Sequence, residues 1–290
     1  MRRLGLMLAV ALAVAPRSVA AEQYSVTGMV MRVDQANATF VVSHDSIAGL
    51  MGPMMMPFTV RDPHELDGVM PGAAVTFTLV VSKESSYATD VHVRAYQSVE
   101  QDPMTTHRLA LLRRLSSPET RLAEAVPIGD AVPDFTLIDQ RRRPVSLGGL
   151  RGRVVAVNFV YTRCALPQFC FRTASSFAAV AKRFGTRLGR DLVLLTVTFD
   201  PERDQPDVLA RYAQQWKADA ATWHFLTGAV PDVRRVTNLF GLDFFPDEGL
   251  LDHSVRTAVI DRDGRLVANI EGNQFSTEQL GNLIQTFIER

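Results

Sequence analysis

The chain has 290 residues, room for two domains of ordinary size, and 47% of them are hydrophobic, enough for a packed core in each. Thirty-one basic and 31 acidic side chains cancel, so the formal net charge is zero. That balance argues against a nucleic-acid partner and against a strongly acidic substrate. All ten methionines lie between Met1 and Met104, while both cysteines and both tryptophans come later, so composition itself marks a domain boundary.

Residues 1–21 read as a signal peptide. Arg2 and Arg3 form a charged start, Leu4–Ala15 is an apolar core too short to span a bilayer comfortably, and Ser18-Val19-Ala20 and Val19-Ala20-Ala21 offer small-x-small cleavage sites. Export to a periplasmic or other oxidising compartment follows, and contact with the membrane is expected only if this segment stays uncleaved as an anchor.

Residues 22–98 read as a small all-β unit. Alternating segments at Tyr24–Val33, Thr39–Ser43, Phe58–Val60, Ala74–Val81 and Tyr87–Ala95 are separated by turn-forming runs such as Asp34-Gln35-Ala36-Asn37 and Pro71-Gly72. Five short strands suggest a small closed barrel of the OB type. Four methionines crowd the stretch Met51–Met56. On an extended strand Met54 and Met56 share a face and Met55 points the other way. With His44 entering from the preceding strand, two thioethers and an imidazole make a soft site suited to Cu(I) or Ag(I). Methionines that merely fill gaps in the core are the competing reading. The spacing of His44, then Met54-Met55-Met56 and Pro57-Phe58, resembles the CusF-like periplasmic copper-binding domain. The resemblance implies a barrel that buffers copper through His44, Met54 and Met56. It departs at one point: the tryptophan that caps the metal in the best-known members is missing, and Met51 sits near its place.

Residues 99–125 carry no strand pattern, are punctuated by prolines, and read as a linker with a short amphipathic helix near His107–Leu115. From residue 126 to 290, strands alternate with helices. Phe135–Ile138 and Val145–Leu147 form a leading hairpin. Val154–Tyr161 and Leu192–Phe199 are apolar enough to be buried on both faces. Helices follow at Phe171–Arg187, Pro206–Ala218 and Val230–Phe240. Arg256–Asp261 and Leu266–Ile270 are strands joined by Asp263-Gly264, and Ser276-Thr277-Glu278-Gln279 is a capping box that opens a last helix. The layout is an α/β thioredoxin-like domain.

Cys164 and Cys170 lie where the strand Val154–Tyr161 hands over to a helix N-terminus, a place that favours thiolate. Five residues separate them, and Pro167 suggests a loop that folds one back toward the other. Such a pair can be a structural disulfide, a redox couple or a soft-metal site. His253 falls just before the strand at Arg256, where thioredoxin-type oxidoreductases carry a proline beside the active loop. Two thiolates and its imidazole would make a trigonal Cu(I) site.

Four stretches resemble the Sco/SenC family of copper chaperones: Pro133-Asp134-Phe135-Thr136-Leu137, Asn158-Phe159-Val160-Tyr161-Thr162-Arg163-Cys164, Thr198 through Asp204, and Asp252-His253-Ser254. The resemblance implies copper held by Cys164, Cys170 and His253. It also implies delivery of that copper to cytochrome c oxidase, with a subunit of the oxidase or another copper-accepting protein as partner. The chain departs in its five-residue spacing, where most members have three. An exported metallochaperone with two soft sites is therefore expected. The alternative is a thiol-disulfide oxidoreductase using Cys164 and Cys170, with the first domain buffering copper.

Overall fold

A computed structural model describes residues 21–95, 125–164, 167–247 and 250–290. The expected leader core and the expected helix near 107–115 lie outside the described residues. Among the described residues, no helix is long and apolar enough to cross a membrane.

The first unit is a five-stranded antiparallel sheet: β1 (Glu22–Asp34), β2 (Thr39–His44), β3 (Met54–Thr59), β4 (Ala74–Val81) and β5 (Ser86–Val93), in the order β3-β2-β1-β4-β5. The sheet curls until its two edges meet at a single parallel bridge, Val60 with Ala88. It is thus OB-like and partly open rather than sealed by a full ladder. Phe40, Phe58 and Phe77 fill its centre, with ring centroids 4.8–5.9 Å apart. β3 begins earlier than the expected Phe58 and takes in the methionine run and Pro57. Proline is tolerated there because, among the described residues, β3 takes ladder bonds from β2 alone.

A bulge between Val30 and Arg32 bends β1. Val26 and Val30 face the barrel core, whereas Met29 and Met31 turn outward and are still buried. They pack with Val41 against a helix of the second unit, so β1 is covered on both faces.

The second unit contains a seven-stranded sheet. Its strands are β6 (Thr136–Asp139), β7 (Pro144–Ser146), β8 (Val154–Val160), β9 (Leu192–Thr198), β10 (Trp223–Thr227), β13 (Arg256–Ile260) and β14 (Leu266–Glu271), ordered β14-β13-β8-β9-β10-β6-β7. β8, β9 and β10 run parallel, and every residue of β8 and β9 is buried, as their continuous apolar runs require. Helices α1 (Arg172–Phe184), α2 (Pro206–Gln215) and α4 (Thr277–Ile288) cover one face, through Phe177, Leu209, Leu283 and their neighbours. Helix α3 (Val230–Leu239) covers the other, through Val233 and Val236. α4 opens with the expected capping box. An unexpected two-stranded ribbon, β11 (Phe244–Asp247) with β12 (Leu250–His253), stands beside this sheet.

Candidate metal centre

Two places gather soft donors. The first lies at the end of β2. There the register pairs His44 with Met54 and Val42 with Met56, so His44, Met54 and Met56 share the inner face and Met55 lies with Ser43 on the other. His44 is 2% exposed, and its ring stands edge-on to Phe58, 5.9 Å between centroids. Its Nδ1 is 2.6 Å from the Asp45 carbonyl. A carbonyl only accepts, so Nδ1 carries the proton and Nε2 of the neutral ring offers its lone pair. Among the described residues that buried Nε2 has no hydrogen-bond partner. An orphaned acceptor beside two thioethers fits a soft cation, with the Asp45 carbonyl holding the ligand ring in place. Met54 is about half exposed at 49%, while Met51 and Met56 lie partly against the barrel core. The site therefore opens outward at Met54.

The second lies at the C-terminal end of β8. Asp204 secures the loop that follows: it accepts from the Thr162 amide at 3.0 Å and hydroxyl at 2.5 Å, and from the Thr198 hydroxyl at 2.5 Å. Arg163 pairs with Asp200 at 3.2 Å. The amide of Cys164 closes a turn on the Tyr161 carbonyl at 3.2 Å. The chain then re-enters as a single wide helical turn, Pro167–Phe171, which runs straight into α1 and sets Cys170 on its inner side, 3% exposed. Asn273 ties this turn down from the loop after β14, donating to the Gln168 carbonyl at 2.5 Å. The wide turn Pro167–Phe171 places Cys170 within reach of Cys164.

His253 arrives from the end of β12. Its Nδ1 donates to the Ser254 carbonyl at 2.8 Å, the same device as at His44, and its Nε2 is 3.9 Å from Cys170 Sγ. The donor atoms of Cys164, Cys170 and His253 all lie within 4.8 Å of one another. A trigonal ion with thiolate and imidazole bonds of about 2.0–2.3 Å needs its donors roughly 3.5–4 Å apart. A small contraction satisfies that. Both cysteines are present as thiols. The Cys164 thiol hydrogen-bonded to it, and then burial, push the Cys170 pKa well up. Burial, and then the neighbouring Cys164, push Tyr161 up to about 12. Rings of Phe199 (4.9 Å), Tyr161 and Phe169 (both 5.8 Å) surround His253.

Sequence reading missed the ribbon that carries His253, the aromatic wall around it and the Asn273 tether. A period-2 pattern was absent from Phe244–Asp247 and Leu250–His253, and a lone asparagine carries no spacing signal.

Residues 125–289 match the family model described as SCO1/SenC, and residues 23–93 match that of CusF, a copper binding periplasmic protein. A Stutzerimonas stutzeri protein named for copper binding is 31% identical over 150 residues, covering 50% of this chain and 71% of its own length. A SCO2-like protein of Rickettsia felis is 30% identical over 168 residues, 54% of this chain and 79% of that one. The solved structure of a SCO1/SenC family lipoprotein from Bacillus anthracis aligns with a TM-score of 0.50 at 21% identity, over 57% of this chain and 99% of that one, a likeness of fold. The chain belongs to the SCO1/SenC family, with a CusF-type copper-binding domain placed ahead of the thioredoxin-like one.

Proposed function

We propose that this protein is an exported copper metallochaperone that supplies copper for assembly of cytochrome c oxidase, and that it carries the metal at two soft sites. His44, Met54 and Met56 hold Cu(I) in the first domain. Cys164, Cys170 and His253 hold it in the second. The domains run over residues 22–98 and 126–290, joined by a linker. The observation that carries the reading is the convergence of two thiols and one imidazole within 4.8 Å, with His253 Nε2 directed at Cys170. The periplasmic character of the CusF model supports export, and an oxidase subunit is the acceptor that the family membership favours. Titrating the reduced chain with Cu(I) tests it: two equivalents bind, and one is lost on Cys164→Ser or Cys170→Ser. Unchanged stoichiometry and affinity in both variants would sink the second site.

A thiol-disulfide exchange role is the second reading, favoured by one observation. Cys164 is half-buried while Cys170 is sealed, the asymmetry expected of an attacking and a resolving sulfur. In that reaction Cys164 forms a mixed disulfide with the partner, Cys170 displaces it, and the partner leaves as a dithiol. Insulin-disulfide reduction by the reduced chain, abolished once two equivalents of copper fill both sites, would support it alongside the carrier role.

A further inference from the structure

The first metal site borrows part of its support from the second domain. Helix α4 presents Gln279 and Asn282, each 8% exposed, to the end of strand β2. Gln279 Nε2 donates to the Ser43 carbonyl at 3.3 Å and to Asp45 Oδ1 at 3.2 Å. Asn282 Nδ2 donates to Ser43 Oγ at 3.0 Å. Ser43 and Asp45 flank His44 on either side. Asp45 is also the residue whose carbonyl fixes the His44 ring, and its amide is held by the Thr27 carbonyl at 2.8 Å. The backbone that aims His44 Nε2 is therefore held from the barrel by Thr27 and from the other domain by Gln279 at the Ser43 carbonyl, with Asn282 fixing the Ser43 side chain.

Gln279 cannot be moved without consequence. Its Oε1 accepts from the Ser276 amide at 2.8 Å as half of the α4 capping box, which leaves its Nε2 free to reach across to Ser43 and Asp45. The side chain's two ends thus serve two domains, and its orientation is fixed by the cap.

We propose that Gln279, with Asn282 beside it, is a positioning residue of the His44 copper site, so that this site is complete only when the two domains are docked. The inference rests on the reading of His44 as a copper ligand. Loosening the clamp frees the Ser43–Asp45 backbone, and the imidazole then has to be ordered by the ion itself, which weakens binding.

Gln279→Glu is the discriminating variant. A glutamate at this helix position keeps the acceptor of the capping box. It removes the donor to Ser43 and Asp45 and sets a carboxylate against the Asp45 carboxylate. Adding Asp45→Asn restores a donor–acceptor pair with its polarity reversed. The experiment is a competition titration with Ag(I) on the full chain, in a Cys164→Ser/Cys170→Ser background so that only the first site is read. Circular dichroism is followed in parallel to confirm that the fold is retained. We expect Gln279→Glu to weaken Ag(I) about tenfold and Gln279→Glu/Asp45→Asn to recover most of that loss. Full affinity in Gln279→Glu overturns the inference, and so does a loss that Asp45→Asn does not recover. His44→Ala in the same background separates the two ideas. If it leaves Ag(I) binding intact, the copper reading of His44 falls; if it abolishes binding while Gln279→Glu does nothing, only the cross-domain role falls.

Discussion

At the level of single residues, the second site is governed by one buried thiol. Cys170 is protonated well beyond the ordinary thiol range because Cys164 hydrogen-bonds to it and because it is sealed from water. Copper bound through this thiol, as proposed, would have to displace that proton, so the site's apparent affinity should fall by about tenfold per pH unit below the Cys170 pKa for this thiol alone. The thioethers of Met54 and Met56 bind no proton, so the first site should show a shallower slope. Cu(I) competition titrations at pH 6.5, 7.5 and 8.5 on the two Cys→Ser and the His44→Ala backgrounds would show the contrast; parallel slopes would contradict it. The sign for stability follows from the same shift. A thiol whose pKa is raised on folding contributes stability that is present at neutral pH and is lost as pH climbs through the folded value. The metal-free protein should therefore lose stability in alkali, a loss that Cys170→Ser reduces and that Tyr161, also raised, continues at higher pH.

Asp204 shows a different use of a buried carboxyl. Burial raises its pKa, against three hydrogen bonds from Thr162 and Thr198 that favour the charged form. Those bonds carry the turn that presents Cys164. Asp204→Ala leaves buried donors unmet and should cost about 2–4 kcal/mol, read as a lower denaturation midpoint. Pairing of the cysteines with His253 was legible from residue types and order. In the sequence Asp204 stood out only as the end of the Thr198–Asp204 stretch that resembles the Sco/SenC family. The partners that hold it, Thr162 and Thr198, come from two different strand ends, and no sequence pattern joins them.

Among the elements, legibility followed the strength of the period. β8 and β9 are near-continuous β-branched and leucine runs, which only a doubly covered parallel strand accommodates, and their bounds match the expectation within a residue. β3 was half legible, because methionines have weak strand preference and Pro57 reads as a breaker until its edge position is known. Its register is what gives the methionines distinct roles. Met54 and Met56 lie on the His44 face and Met55 on the Ser43 face. Met54→Leu and Met56→Leu should each weaken Ag(I) binding, while Met55→Leu leaves it nearly intact; equal loss at all three would mean that the methionines act only as packing.

Gly28 sets the spacing of the same strands. It pairs with His44 across β1 and β2, and a Cβ there would stand 2.6 Å from the Ser43 carbonyl oxygen and 2.7 Å from His44 Cα. Both are backbone atoms and cannot swing aside. Gly28→Ala should push β1 and β2 apart beneath His44, cost about 1–3 kcal/mol, and, if His44 holds the ion as proposed, weaken Ag(I) at the first site. Denaturant unfolding and an Ag(I) titration on the same variant would check both effects. Native behaviour in both would refute the contact.

Over the whole molecule, the question is whether the two domains are beads on a linker or one body. Domains within a chain move independently unless their interface is large and apolar. Composition separated them, since the methionines fall in the first part, yet the structure sends two of those methionines outward to join them. Met31, wholly buried, and Met29, at 3% exposed, pack in one continuous cluster with Ala268 and Ile270 of β14 and with Leu280, Leu283 and Ile284 of α4. Nothing in an alternating strand pattern reveals that both faces of β1 are covered, because Met29 and Met31 occupy positions that an exposed barrel face would give to polar residues. The polar clamp of Gln279 and Asn282 lies beside this apolar contact and fixes its register. Calorimetry of the metal-free chain should therefore show a single cooperative transition. Truncating Met29 and Met31 to alanine removes buried surface at the junction, worth about 2–5 kcal/mol for a well-packed methionine, while the barrel's own aromatic core of Phe40, Phe58 and Phe77 is untouched. The transition should then split in two, with the barrel melting first because a small domain buries the lesser share of its surface. Two transitions already present in the unmodified chain would show that the domains are uncoupled.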